Sequence, residues 1–127
     1  MFYAIIPIRA FTYMFEQIII NTGNHYNKYE GVFVAPRKGV YLFYWSISLY
    51  SGQYAVTELV VENDVISSAG DSAANGGYRS TSMTALCRMN KGYHAFIRTT
   101  GAGSTHYIYS FDNYPRTSFL GMIVRDE

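Results

Sequence analysis

A chain of 127 residues has room for one domain with a sizeable core and little more. Charged residues make up 15% of it, the formal net charge is +1 and no basic run occurs, which argues against a phosphate-backbone footprint and an anionic-membrane patch. Thirteen Tyr, eight Phe and eleven Gly suit short strands and tight turns better than helices, so the expected class is all-β.

The first fourteen residues, MFYAIIPIRAFTYM, are apolar but interrupted by Pro7 and Arg9. A secretory leader needs a longer unbroken apolar core and a membrane span needs about 20 apolar residues, so the segment reads as a first strand and no membrane insertion is expected. Phe15 to Ile20 is β-rich, and Asn21-Thr22-Gly23-Asn24 reads as a turn because Asn and Gly tolerate left-handed backbone. Gly31 to Val34 reads as a short strand ended by Ala35-Pro36-Arg37-Lys38-Gly39, since proline removes a ladder donor. From Val40 the period of two puts Tyr41, Phe43 and Trp45 on one face and Val40, Leu42 and Tyr44 on the other.

The spacing of Phe15, Asn21, Tyr26, Phe33, Gly39, Tyr41 and Phe43, with Trp45 following, resembles the signature of the complement C1q globular-domain family. Thr117 to Val124 is similar to that family's terminal strand, with Phe119 and Gly121 at its aromatic and glycine places. The resemblance covers residues 15 to 127 and implies a two-sheet antiparallel jelly-roll sandwich of the C1q and tumour-necrosis-factor type. A single globular domain over 1–127 is expected, with 1–14 an atypical first-strand region. Ala10-Phe11-Thr12 resembles the family's opening strand but stands unusually close to Phe15, so two readings of the first strand stay open, that stretch or Phe2 to Ile8.

Further along, Ser51-Gly52-Gln53 reads as a turn, Ala55 to Val61 as a β-branched strand and Val65 to Ser68 as a short one. The small polar run between Ala69 and Tyr78 reads as an exposed loop. Arg79 to Met89 and Tyr93 to Thr100 read as a hairpin joined by Asn90-Lys91-Gly92. Gly101 to Thr105 reads as a flexible loop, Tyr107 to Tyr109 as a short strand, and Phe111 to Arg116 as a polar-aromatic loop. Cys87, the one cysteine, shares a strand face with Ala85 and Met89 and reads as a small buried thiol.

Catalytic and metal-binding patterns are missing from the sequence. The three histidines have no zinc spacing, no serine lies in Gly-x-Ser-x-Gly, and no glycine-rich stretch ends in Gly-Lys-Ser/Thr. A non-enzymatic protein without cofactors is expected. Tyrosine in this abundance points to binding surfaces or subunit packing, because a ring with a polar tip gives rigid contact and hydrogen bonding together. The resemblance implies a homotrimer packed through aromatic and apolar strand faces, Phe96 among them. It also implies a secreted recognition protein; absent collagen-type Gly-X-Y repeats, this would be a stalkless innate-immune lectin for carbohydrate or microbial surfaces. Its rivals are a trimeric ligand for a receptor and a structural trimerisation module.

Candidate ligand residues are those in polar loops: Asn24, His25 and Asn27; Gln53 and Tyr54; Asp71; and His106, Asp112, Asn113 and Tyr114. The run Asp112-Asn113-Tyr114 sets a carboxylate, an amide and a ring side by side, the three groups with which sugars are bound. Some members of the resembled family hold calcium between two loops. Tyr54 stands at the first of these acidic places and Asp71 alone serves the second, a thin shell for an ion taking 6–8 oxygens, so no calcium cage is expected.

Overall fold

A computed structural model describes residues 1–5, 17–104 and 117–127. Among these residues ten strands form two five-stranded sheets, antiparallel at every pairing. In chain order they are β1 (Phe2–Ile5), β2 (Gln17–Asn21), β3 (Tyr26–Asn27), β4 (Val32–Val34), β5 (Gly39–Tyr50), β6 (Tyr54–Val61), β7 (Asp64–Ser72), β8 (Tyr78–Met89), β9 (His94–Ser104) and β10 (Ser118–Asp126). The first sheet runs β2-β1-β10-β5-β8 and the second β3-β4-β9-β6-β7. This is the jelly-roll sandwich the sequence led us to expect.

The core lies between the sheets. Tyr41, Phe43, Trp45, Ile47 and Leu49 of β5 are fully buried while Val40, Leu42, Tyr44 and Ser46 are half-exposed, as the alternation required. Phe2 is the hub of the aromatic packing: its ring lies 4.6 Å from Tyr26, 5.0 Å from Phe33 and 4.8 Å from Phe119. Gly121 makes that packing possible. It pairs with Phe2 on one side and Phe43 on the other, and a Cβ there would come within 2.3 Å of the Phe2 ring and 2.8 Å of the Phe43 ring. Trp45 carries a polar link across this layer, donating from Nε1 to Thr57 Oγ1 at 2.9 Å, and Thr57 in turn donates to the Ala69 carbonyl at 2.9 Å. Both polar atoms are thereby satisfied without water.

The structure places a strand at the N-terminus and corrects three expectations. Phe2–Ile5 pairs with β10 and β2, the described part of the Phe2 to Ile8 reading, while Ala10-Phe11-Thr12 lies outside the described residues. The small polar run from Ala69 is not a loop at its start: β7 continues through Ser72, Ala69 and Ala73 are buried, and the side chains are small because Gly70 lies tight against the Ala55 carbonyl and Val56. Likewise β9 runs on to Ser104, where glycines had suggested a loop. Asn90-Lys91-Gly92 does form a turn, with Gly92 at φ 87 and Tyr93 N–H bonded to the Asn90 carbonyl at 3.1 Å. It joins strands of different sheets, however, and Ala35 stitches the crossing by accepting from Gly92 N–H and donating to the Tyr93 carbonyl.

Candidate functional site

The spacing of Asn21, Tyr26, Gly39 and Tyr41 has a mechanical basis at one end of the sandwich. Asn21 closes the β2–β3 connection by gripping a single residue: its Nδ2 donates to the Tyr26 carbonyl at 2.8 Å and its Oδ1 accepts from Tyr26 N–H at 3.1 Å. Tyr26 is thus delivered to Phe2 with its backbone satisfied at an edge that the sheet leaves unpaired. Tyr41 performs the same service for the β4–β5 connection, its hydroxyl donating to the Arg37 carbonyl at 2.6 Å. Burial raises the Tyr41 pKa above the ordinary phenol value, against the lowering effect of the Arg37 backbone contact. Gly39 is glycine because a Cβ would meet the Arg125 carbonyl at 2.4 Å.

His25 follows the short 3-10 helix Thr22–Asn24 and lies over Gly23, whose φ of 77 and 2.6 Å clearance from the His25 ring leave no place for a side chain. It lines a cavity of about 170 Å³ with Phe33, Arg37, Tyr41 and Ile123. Arg37 there is paired with Asp126. Tyr54 is exposed at the start of β6, opposite Ser72, at the other end of the sandwich. The length of β5, on the order of 35 Å, separates the two, so His25 and Tyr54 do not belong to one site. Gln53 is engaged in its own turn, its Oε1 accepting from Tyr50 N–H at 2.8 Å, and Asp71 Oδ1 accepts from Ser72 N–H at 2.7 Å. His106, Asp112, Asn113 and Tyr114 lie outside the described residues. Among the described residues no cluster of three or more His, Cys, Asp or Glu is placed to hold a metal ion.

Two surfaces stand out that individual residue types had not announced. The first is a groove of about 430 Å³ beside the Asn21 clamp, lined by Ile18, Asn24, Asn27, Lys28 and Tyr29 among others. Its rim is the turn 28–30, held by Asn27 Oδ1, which accepts from the N–H groups of Tyr29 at 2.9 Å and Glu30 at 3.3 Å. Tyr29 is 79% exposed, and the Lys28 ammonium stands 5.2 Å from its ring centre. Asn24 and Asn27 were legible as polar loop residues; Tyr29 was missed because nothing in Asn27-Lys28-Tyr29-Glu30 told that the ring stays in solvent.

The second is the outward face of the first sheet. Alternation and register set Ile20, Tyr3, Leu120, Tyr44 and Thr84 in one row across β2, β1, β10, β5 and β8, and Met122, Leu42 and Leu86 in the next. Leu86 is 62% exposed. Charge returns only toward the Gly39 end, where Glu127 accepts from Arg88 Nε and from Arg125, each about 3 Å away, and the two guanidiniums hold its carboxyl below the usual range, Arg125 first. Cys87 shares the inward face with Ala85 and Met89 as expected but is only partly buried where a buried thiol was expected, and burial pushes its thiol up to about 11.

Comparison with known proteins follows this geometry. A family model described as the C1q domain matches residues 6–124. The globular domain of zebrafish complement 1qA protein is similar over 99% of this chain and 98% of that one, with TM-score 0.79 and 15% identity. Eiger TNF from S. frugiperda is similar over 99% of this chain and 87% of that one, with TM-score 0.71 and 14% identity. At these identities the likeness to the two structures is one of fold.

Proposed function

Because this chain belongs to the C1q domain family, we propose that it is a secreted recognition protein, one C1q-like domain over 1–127, acting as a homotrimer that binds carbohydrate on microbial or cell surfaces. The observation that carries the assembly half is the apolar middle of the first sheet's outward face, the rows of Leu120, Tyr44, Met122, Leu42 and Leu86 between a serine-rich end and a charged one, which a second and third copy of the same chain would cover. C1q domains are generally extracellular and generally trimeric, which agrees with that reading. No helix among the described residues is long and apolar enough to cross a membrane. Recognition is assigned to the polar loops, with Asp112, Asn113 and Tyr114 supplying acceptor, amide and ring, and with His106, His25 and Tyr54 as further contacts. His25 and Tyr54, at opposite ends, serve separate contacts. The reading needs neither catalysis nor a cofactor.

A glycan array tests it. Reproducible sugar binding that free sugar competes away supports the lectin; silence across the array leaves the receptor-ligand and scaffold readings in its place. Tyr114→Ala and Asp112→Ala should each weaken the sugar while leaving the assembly intact, the second by removing a charged acceptor worth roughly 1.5–3 kcal/mol. Binding should survive chelation. Loss on chelation would restore calcium to the site, and unchanged affinity in both variants would move the site away from 112–114.

A further inference from the structure

We propose that the groove beside the Asn21 clamp is a second place where this chain meets its ligand, and that it takes the acidic residue of a glycan, a sugar bearing a carboxylate. The inference rests on the carbohydrate reading above and adds both a site and a ligand class to it. Its basis is which polar groups the fold has used and which it has left. Asn21 has both ends of its amide committed to the Tyr26 backbone, so it is structural. Asn27 has committed only its oxygen, to the Tyr29 and Glu30 N–H groups; its Nδ2 meets no acceptor among the described residues, and neither does the Asn24 amide.

What faces the groove is therefore rich in donors: Asn27 Nδ2, the Asn24 amide and the Lys28 ammonium, which stands 5.2 Å from the Tyr29 ring centre. Beside them stands an aromatic ring that is 79% exposed on a turn pinned by a side chain, so the ring is presented without the fold having buried it. The Asn24 amide can accept as well as donate, so it is the cation, with Asn27 Nδ2 beside it, that selects a negative ligand. The ring offers an apolar face to the C–H side of a pyranose. A neutral sugar would leave Lys28 unanswered; a carboxylate on the sugar answers it by a charge-assisted hydrogen bond. The volume, about 430 Å³, suits one or two sugar rings.

The test uses the full chain, titrated calorimetrically with 3′-sialyllactose, with a galacturonic acid trisaccharide and with lactose. Wild-type protein should prefer the two acidic probes to lactose. Tyr29→Ala should weaken both acidic probes by roughly tenfold, while Tyr29→Phe, which keeps the ring, should stay within about threefold of wild type. Lys28→Gln should erase the preference for the acidic probes without abolishing binding, and added salt should mimic it. Asn27 is left alone because its oxygen holds the turn. If wild type binds acidic sugars yet Tyr29→Ala and Lys28→Gln match it while Tyr114→Ala fails, the groove assignment is overturned and the lectin reading stands. A wild-type preference for lactose overturns the ligand class. No binding of any sugar, on the array or in the calorimeter, overturns both readings together.

Discussion

The outward faces of the two sheets are produced by the same alternation and filled with opposite chemistry. On the first sheet the middle rows read Ile20, Tyr3, Leu120, Tyr44 and Met122, Leu42, Leu86. On the second, β6 and β9 set Glu58 beside Arg98 with their charged groups 2.8 Å apart, and β7 brings Ser68 and Ser72 to the same side. Inward, the sheets share one core and obey one rule, apolar side chains on every second residue. Outward, nothing internal to the chain demands either pattern, and under the proposed assembly the first sheet's rows would meet another copy while the Glu58–Arg98 pair, with Val60 and Phe96 in the next outward row, would stay outside that contact.

The largest effect lies in the interior that both faces depend on. Phe33 is 2% exposed and touches the rings of Phe2, Tyr41 and Phe43. Phe33→Ala should cost roughly 3–5 kcal/mol of folding stability, measured by denaturant unfolding. A loss below about 1 kcal/mol would contradict the placement of this ring in the core. Next comes Leu42→Glu, which puts a carboxylate in the centre of the first sheet's outward face. The monomer tolerates it, since Leu42 is half-exposed there, but an assembly would have to bury an unpaired charge. Light scattering should report a mass near three times 14.4 kDa for wild type and near 14.4 kDa for the variant, with the circular dichroism unchanged. A variant that stays trimeric would show that the copies meet elsewhere.

How far the sequence could lead is visible in particular residues. Asn21, Gly39, Tyr41 and Gly121 were legible as spaced positions, and the structure gives each a contact that only its residue type can make. The inner face of β5 was legible for the same reason: a period of two is a local property. Sheet membership is not local. Asn90-Lys91-Gly92 has the chemistry of a hairpin turn, yet Ala35, fifty-five positions before Asn90, supplies the bonds that route it across the sandwich. The extension of β7 was hidden because Gly70 is set by close neighbours on β6 rather than by strand propensity. In the groove the amides were legible and Tyr29 was not, because its exposure follows from the Asn27 turn and not from its own type. The 106 and 112–114 positions lie outside the described residues.

A smaller effect concerns Cys87, which sits at the seam between the faces, its chain alternating from core to surface. Burial raises its pKa from 9.0 to about 11. For a raised pKa the stabilisation is fully present below the unfolded value and is lost as pH rises through the folded one, because the unfolded thiol ionises first. Stability should therefore hold up to about pH 9 and fall between there and about pH 11. Cys87→Ala should flatten that slope in denaturant melts taken across the window, and wild-type thiol should react slowly with a disulfide reagent at neutral pH. Rapid labelling of the folded protein would mean the thiol is open to solvent and ionised.

The smallest effect is the one that best sharpens the comparison. Arg98 lies 52% exposed on the second sheet's outward face, with its Nε 2.8 Å from Glu58. If water covers that face, the pair is screened and gains little over two hydrated charges, so Arg98→Ala should lower stability by no more than about 1 kcal/mol. Glu58→Gln should do the same, and the double variant should differ little from either single one. The Glu58 side chain, only 15% exposed, is the reason to measure both: a carboxylate that sheltered loses more when its partner is removed than the arginine does. A cost above about 2 kcal/mol for Arg98→Ala alone would place the pair in a drier setting than a solvent face provides. If that cost also changes with protein concentration, so that it does not come from the sheltered Glu58 carboxylate alone, a partner covers the second sheet, and the division between an assembling face and a wet one would have to be withdrawn.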